Sequence, residues 1–208
     1  MENEKDMLEL SCYDFLEKLA SSDAVPGGGG ASALCGCIGM ALGRMAGELT
    51  LGKPKYADVQ EDIKALLERA ETLQAKLSDA VTKDAECFEP LSLAYKIPKD
   101  NPGRDAVMED CLKKAASVPL DILELSCEGV LVMQEFAAKA SKLVISDAAT
   151  GTAMCLAAMQ GAAINVKVNT KLMKDRKYAD KINQHVDDRM NKFTALGRRV
   201  IDKVYGEF

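Results

Sequence analysis

The 208-residue chain reads as an all-α protein, a compact bundle of five to seven helices. Three observations predict this class. No segment alternates apolar and polar residues with the period of two that a strand requires. Two long segments repeat apolar residues at the spacing of a helix face packed against other helices. Two further stretches, Ala24 to Gly43 and Ala148 to Val166, carry no charge and are built largely from Gly, Ala, Ser, Thr and Cys. Such segments suit helices enclosed by other helices.

In chain order, Ser11 with Asp14 three residues later forms a capping box ahead of Phe15, Leu16 and Leu19. Pro26 and Gly27 to Gly30 break the chain, and an Ala/Gly-rich helix follows to about Leu51, stopped by Gly52. Pro54 can open the next helix. There Val59, Ile63, Leu66, Ala70, Leu73, Leu77, Ala80, Asp84 and Cys87 recur in alternating steps of four and three. Pro98 to Pro102 is a loop. A helix from near Asp105 meets Pro119, where it must break, kink or restart. Ala148 to Leu172 is a small-residue helix, and Ile182, Val186, Met190, Phe193, Leu196 and Val200 mark the last. Residues 1–208 read as one domain without linker or internal repeat.

The composition sets aside several function classes. A net charge of −5, with Lys and Arg dispersed among acids, gives no nucleic-acid footprint, and the aromatics are too scattered for a base-stacking platform. Seven cysteines, odd in number and mostly isolated, read as reduced thiols of a cytoplasmic protein, and the polar Met1 to Asp6 is no export signal. Gln160 and Asn165, with few large aliphatic residues around them, favour a buried bundle helix over a membrane span. His185 is the only histidine, so a Ser-His-Asp triad or a His-rich metal site has little support. Cys35-Gly36-Cys37 is not a C-x-x-C redox pair and reads as core. Gly36, Gly39, Gly43 and Gly47, and Gly151, Ala158 and Gly161, leave faces where backbones approach closely, within the monomer or across a symmetric interface.

Three features depart from a plain bundle. Asp84 is a carboxylate in an apolar seam; it is a functional group, a structural ion-pair partner, or a sign that the seam ends near Ala80. Cys87 and Phe88 argue that the stripe continues. The Gly27 to Gly30 run is either a flexible turn or a strip where a ligand lies against backbone, at a helix N-terminus suited to a carboxylate or oxyanion. Asn165 and Asn169, one turn apart, either bind a ligand or hydrogen-bond between helices. Asp147 is most simply a capping residue.

Together these residues resemble the cyclodeaminase/cyclohydrolase family, which includes the C-terminal domain of formiminotransferase-cyclodeaminase and stand-alone methenyltetrahydrofolate cyclohydrolases. The similarity runs from Phe15 to the last helix. It is carried in order by Pro26-Gly27-Gly28-Gly29, Leu49-Thr50-Leu51-Gly52-Lys53-Pro54-Lys55-Tyr56, Asp84-Ala85-Glu86-Cys87-Phe88, Ala115-Ala116-Ser117-Val118-Pro119-Leu120, Ser146-Asp147 and Asn165-Val166-Lys167-Val168-Asn169. Two positions depart from the pattern: Gly30 replaces a frequent Ser, and Ala148-Ala149-Thr150-Gly151 replaces a bulkier apolar segment.

The resemblance implies a helical homodimer or larger, with a folate bound near the subunit interface. It implies hydrolysis of 5,10-methenyltetrahydrofolate to 10-formyltetrahydrofolate, or closure of 5-formiminotetrahydrofolate with loss of ammonia. The absence of a formiminotransferase domain tilts the expectation toward hydrolysis. Asp84 would attract the methenyl cation and accept a proton from water, with Asp147 second. Lys53 and Tyr56 would bind the folate, Asn165 and Asn169 would hydrogen-bond its pterin, and Gly27, Gly28 and Gly29 would let it lie against backbone. No metal, tightly bound cofactor, nucleic acid or membrane is expected. The rival readings are a non-catalytic folate-binding or scaffold module and, more weakly, a metal-dependent bundle enzyme.

Overall fold

A computed structural model describes residues 7–208; the charged segment Met1 to Asp6 lies outside the described residues. Among the described residues there are six α-helices and no strand: α1 (Cys12–Leu19), α2 (Gly28–Glu48), α3 (Gln60–Ala94), α4 (Arg104–Lys139), α5 (Ile145–Leu172) and α6 (Arg176–Tyr205). The Ser11 hydroxyl accepts the Asp14 N–H at 3.1 Å, the N-cap half of the expected capping box, while the Asp14 carboxylate accepts the Ser11 hydroxyl at 2.7 Å. Gly52 adopts the left-handed φ of +72° that ends the turn after α2.

Four boundaries differ from the sequence reading. The glycine run is not a break before α2 but its first turn, with Gly27 as an extended N-cap. Pro54–Val59 is a 3₁₀ segment in which Tyr56 leaves helical geometry, so α3 starts only at Gln60. α5 starts at Ile145, which places Asp147 in its first turn rather than at its cap, Val144. Pro119 does not break α4, which runs from Arg104 to Lys139 with the proline buried inside it. The carbonyl that Pro119 leaves without an N–H, that of Ala115, accepts the side-chain amide of Asn169 at 3.2 Å instead.

α5 packs against α2, α4 and α6, and α3 closes the bundle over α2 and α4. Met40, Ile63, Leu77, Met133, Phe136 and Met159 are fully enclosed, each such side chain worth about 1.5–3 kcal/mol of burial. The glycine faces serve contact within the chain. α2 and α5 run antiparallel, with a Cβ on Gly39 falling 2.9 Å from the Gly151 carbonyl oxygen and one on Gly36 at 3.5 Å from Ala158. By length and composition, Lys142–Leu172 could span a membrane, and half of its most apolar window is buried in the bundle.

The outer sides of α2 and α5 expose apolar residues. Ile38 and Met45 on α2, Leu49 at its C-cap, and Ile164 and Val168 on α5 are all more than two-fifths exposed. Arg44, a charged residue of α2, turns away to Glu71 and Gln74 on α3.

Candidate active site

Asp84 lies on the inner stripe of α3, half-buried, where that stripe meets the first turn of α2. The first N–H groups of any helix have no partner within it. Here the Asp84 carboxylate accepts one of them, the N–H of Gly30, at 2.9 Å. The N-terminus of α2 therefore holds a carboxylate of the protein itself. Burial pushes the Asp84 pKa above the usual carboxylate range, and the Gly30 N–H pulls against that shift. The carboxylate rests on this one backbone N–H, and no salt bridge to it is formed among the described residues.

The glycines explain how the carboxylate reaches this position. A Cβ on Gly29 would overlap the Asp84 carboxylate, and one on Gly28 would fall 2.9 Å from Asn165 Nδ2. Around Gly27 a Cβ would meet nothing, so the strip opens outward at that residue. Gly28, Gly29, Gly30, Asp84 and Asn165 thus come together at one end of the bundle. Asn165 Nδ2 donates to the Gly161 carbonyl at 2.8 Å. Asn169, only 8% exposed, donates through Nδ2 to the Asn165 carbonyl at 2.9 Å and to Ala115. Its amide group is thus engaged by the protein.

Ser32 is a member of this end that sequence reasoning missed. Its hydroxyl donates to the Gly28 carbonyl at 2.6 Å, and a Cβ on Gly161 would collide with it. The available signal was a lone hydroxyl one helical turn after Gly28, a spacing at which Ser bonds back to the helix. Away from these residues, Ile164, Lys167, Val168 and Lys171 of α5 and Asp187 and Met190 of α6 line an open groove of about 600 Å³.

Lys53, Tyr56 and Asp147 stand elsewhere. Lys53 Nζ donates to Ser141 Oγ at 3.2 Å, and the Tyr56 hydroxyl accepts the Lys142 N–H at 2.9 Å. That N–H, with Ser141 nearby, holds the Tyr56 phenol below its usual pKa. Thr50 ties the same corner by accepting the Ser141 N–H at 2.8 Å. Asp147 lies half-buried in the adjoining first turn of α5. From Asp147 to Asn165 is eighteen residues, five turns, so the two project from one side of α5 about 27 Å apart. Within one chain, Lys53, Tyr56 and Asp147 do not meet Asp84.

Two other groups fall outside the site. His185 Nε2 lies 2.6 Å from Glu124, whose carboxylate Arg189 also grips and holds below its usual pKa. No group of three or more His, Cys, Asp or Glu side chains suited to a metal ion occurs among the described residues.

Comparison with known proteins places this geometry in context. The sequence profile of formiminotransferase-cyclodeaminase matches residues 11–188. A methenyltetrahydrofolate cyclohydrolase of Methylorubrum extorquens is 37% identical over 195 residues, covering 91% of this chain and 93% of its own. The formimidoyltransferase-cyclodeaminase of Sus scrofa is 26% identical across 97% of this chain, which spans 38% of that longer protein. The crystal structure of a formiminotetrahydrofolate cyclodeaminase from Thermotoga maritima superposes with a TM-score of 0.83 at 26% identity, covering 95% of this chain and 98% of that one.

Proposed function

The chain belongs to the formiminotransferase-cyclodeaminase family, and from that premise we propose that it hydrolyses 5,10-methenyltetrahydrofolate to 10-formyltetrahydrofolate. The observation that carries this reading is Asp84: a desolvated carboxylate with raised pKa, held on the α2 N-terminus beside a strip of backbone that lacks side chains.

The substrate carries a cationic N5–CH–N10 amidinium. A carboxylate beside that carbon attracts the cation and, with its raised pKa, is a stronger base toward an attacking water. Water adds to the carbon while Asp84 takes one of its protons. The tetrahedral intermediate then collapses: the C–N5 bond breaks, N5 takes the proton back from Asp84, and the hydroxyl loses its proton as the formyl C=O forms on N10. The balance is one water consumed and one proton released. Asn165, over Gly28, offers amide contacts to the pterin, and Gly27, where a Cβ would meet nothing, leaves backbone open to its flat face.

Lys53, Tyr56 and Asp147 join this chemistry through a second copy of the chain. The outer sides of α2 and α5 carry exposed apolar residues toward both ends of the bundle, and burying them against a second copy would remove apolar surface from water. A two-fold axis near the middle of that surface sets one subunit's Asp84 end against the other subunit's Lys53 end. Lys53 then meets an anionic group of the folate, in a homodimer with two composite sites.

Cyclodeamination is the second reading, favoured by the fold match to the Thermotoga enzyme. It passes through the same tetrahedral carbon, with ammonia leaving. Loss of methenyltetrahydrofolate absorbance, measured beside ammonia release from 5-formiminotetrahydrofolate, decides between them. Hydrolysis without ammonia release supports the first reading; the reverse replaces it.

A further inference from the structure

The hydrogen bond between Asn169 and Ala115 joins two oddities that the reaction leaves unused: a proline inside α4 and an asparagine buried in α5. A helical carbonyl accepts the N–H four residues on, and for Ala115 that residue is Pro119, which has none. The proline ring of a helix interior also crowds this carbonyl. Ala115 and Pro119 are both buried, so water does not reach the freed oxygen. Asn169 Nδ2 fills the vacancy at 3.2 Å and also holds the Asn165 carbonyl at 2.9 Å.

We propose that Asn169 is a positioning residue: it latches α5 onto the carbonyl freed by Pro119 in α4 and so fixes Asn165 over Gly28, beside Asp84. The inference rests on Asp84 being at the reaction site. The chain of contacts is continuous. Ala115 holds Asn169, Asn169 holds the backbone of Asn165, and the Asn165 amide lies against Gly28, next to the Gly29 position that the Asp84 carboxylate fills. A proline in α4 thereby sets the register of α5 against α4.

The test is a double-mutant cycle between positions 119 and 169, read as kcat, KM and Tm on folded enzyme. Pro119→Ala restores the missing N–H and satisfies Ala115 within α4. Asn169→Ala in the wild-type background should lower kcat/KM by about tenfold as Asn165 loses its place. In the Pro119→Ala background the same substitution should cost less than about threefold. Equal losses in both backgrounds overturn the latch, and so does an Asn169→Ala enzyme with unchanged kcat and KM. If Asn169→Ala alone does not fold, the double variant decides: it should fold, and failure to do so contradicts the proposal. Asp84→Asn in the same assay separates the two ideas. Wild-type turnover there removes Asp84 from the reaction site, whereas uncoupled losses at positions 119 and 169 remove only the latch.

Discussion

Asp84 and Gly30, fifty-four positions apart, are joined by a hydrogen bond of 2.9 Å from the backbone N–H to the carboxylate. This bond seats the carboxylate on the first turn of α2, where the proposed reaction would use it as a base, and burial raises its pKa. Structure and chemistry thus draw on the same atoms, and substitutions at this end should separate them.

Gly29→Ala tests the closeness of that approach. The added methyl would overlap the Asp84 carboxylate, which must swing away or push α3 outward. The expected cost is about 1–3 kcal/mol of stability, with a fall in kcat of at least tenfold, since a displaced base no longer faces the substrate. Denaturant melts and turnover at saturating substrate check it; an alanine variant with wild-type kcat would show that this contact does not position the base.

The pH dependence follows from the raised Asp84 pKa. As a base, Asp84 acts only when ionised, so kcat/KM should fall on the acid side through an apparent pKa above the ordinary carboxylate value of about 4. Stability runs in the opposite direction. An acid whose folded pKa exceeds its unfolded one contributes stability that is complete below the unfolded pKa and is lost as pH rises through the folded pKa. Asp84→Asn, uncharged throughout and still able to accept the Gly30 N–H, should therefore match or exceed the wild-type Tm near neutral pH. A markedly lower Tm would mean that the ionised form stabilises the fold.

Close packing of α2 on α5 sets the frame for both ends. A Cβ on Gly39 would lie 2.9 Å from the Gly151 oxygen and from Cys155 Sγ, and backbone cannot rotate aside. Gly39→Ala should cost about 1–3 kcal/mol by forcing the helices apart. A thermal melt would show it, and an unchanged Tm would contradict the tight α2–α5 contact.

The outer face of α2 and α5 makes a prediction about assembly. Ile38 and Ile164 are 49% and 68% exposed in the isolated chain. Placing Asp at both should yield a monomer by light scattering and abolish activity, because each site would lose the partner's Lys53. A related result would come from mixing inactive Asp84→Asn and Lys53→Ala subunits. Random reassortment into dimers should restore about a quarter of wild-type activity; no recovery after subunit exchange would contradict a composite site.

Much of this molecule was legible in its residues. The steps of four and three from Val59 onward marked the inner stripe of α3, and Asp84 stood out because a carboxylate in that stripe must meet something. What it meets was not legible, since Gly30 is distant in the chain and backbone donors leave no trace in composition. Pro119 read as a break, kink or restart for the same reason: its remedy, Asn169, lies on another helix. The motifs also appear in chain order without stating which end of the bundle each occupies. Antiparallel packing of α2 and α5 sent Lys53, Tyr56 and Asp147 to one end and Asp84 and Asn165 to the other. Residue identity suggested the chemistry, and topology then divided its parts.

The most direct measurement is the turnover of Asp84→Asn on 5,10-methenyltetrahydrofolate, followed by loss of methenyl absorbance alongside a thermal melt. A carboxylate serving as base and cation partner predicts a fall in kcat on the order of a thousandfold with the fold intact. A folded variant turning over within about threefold of wild type would remove Asp84 from the reaction.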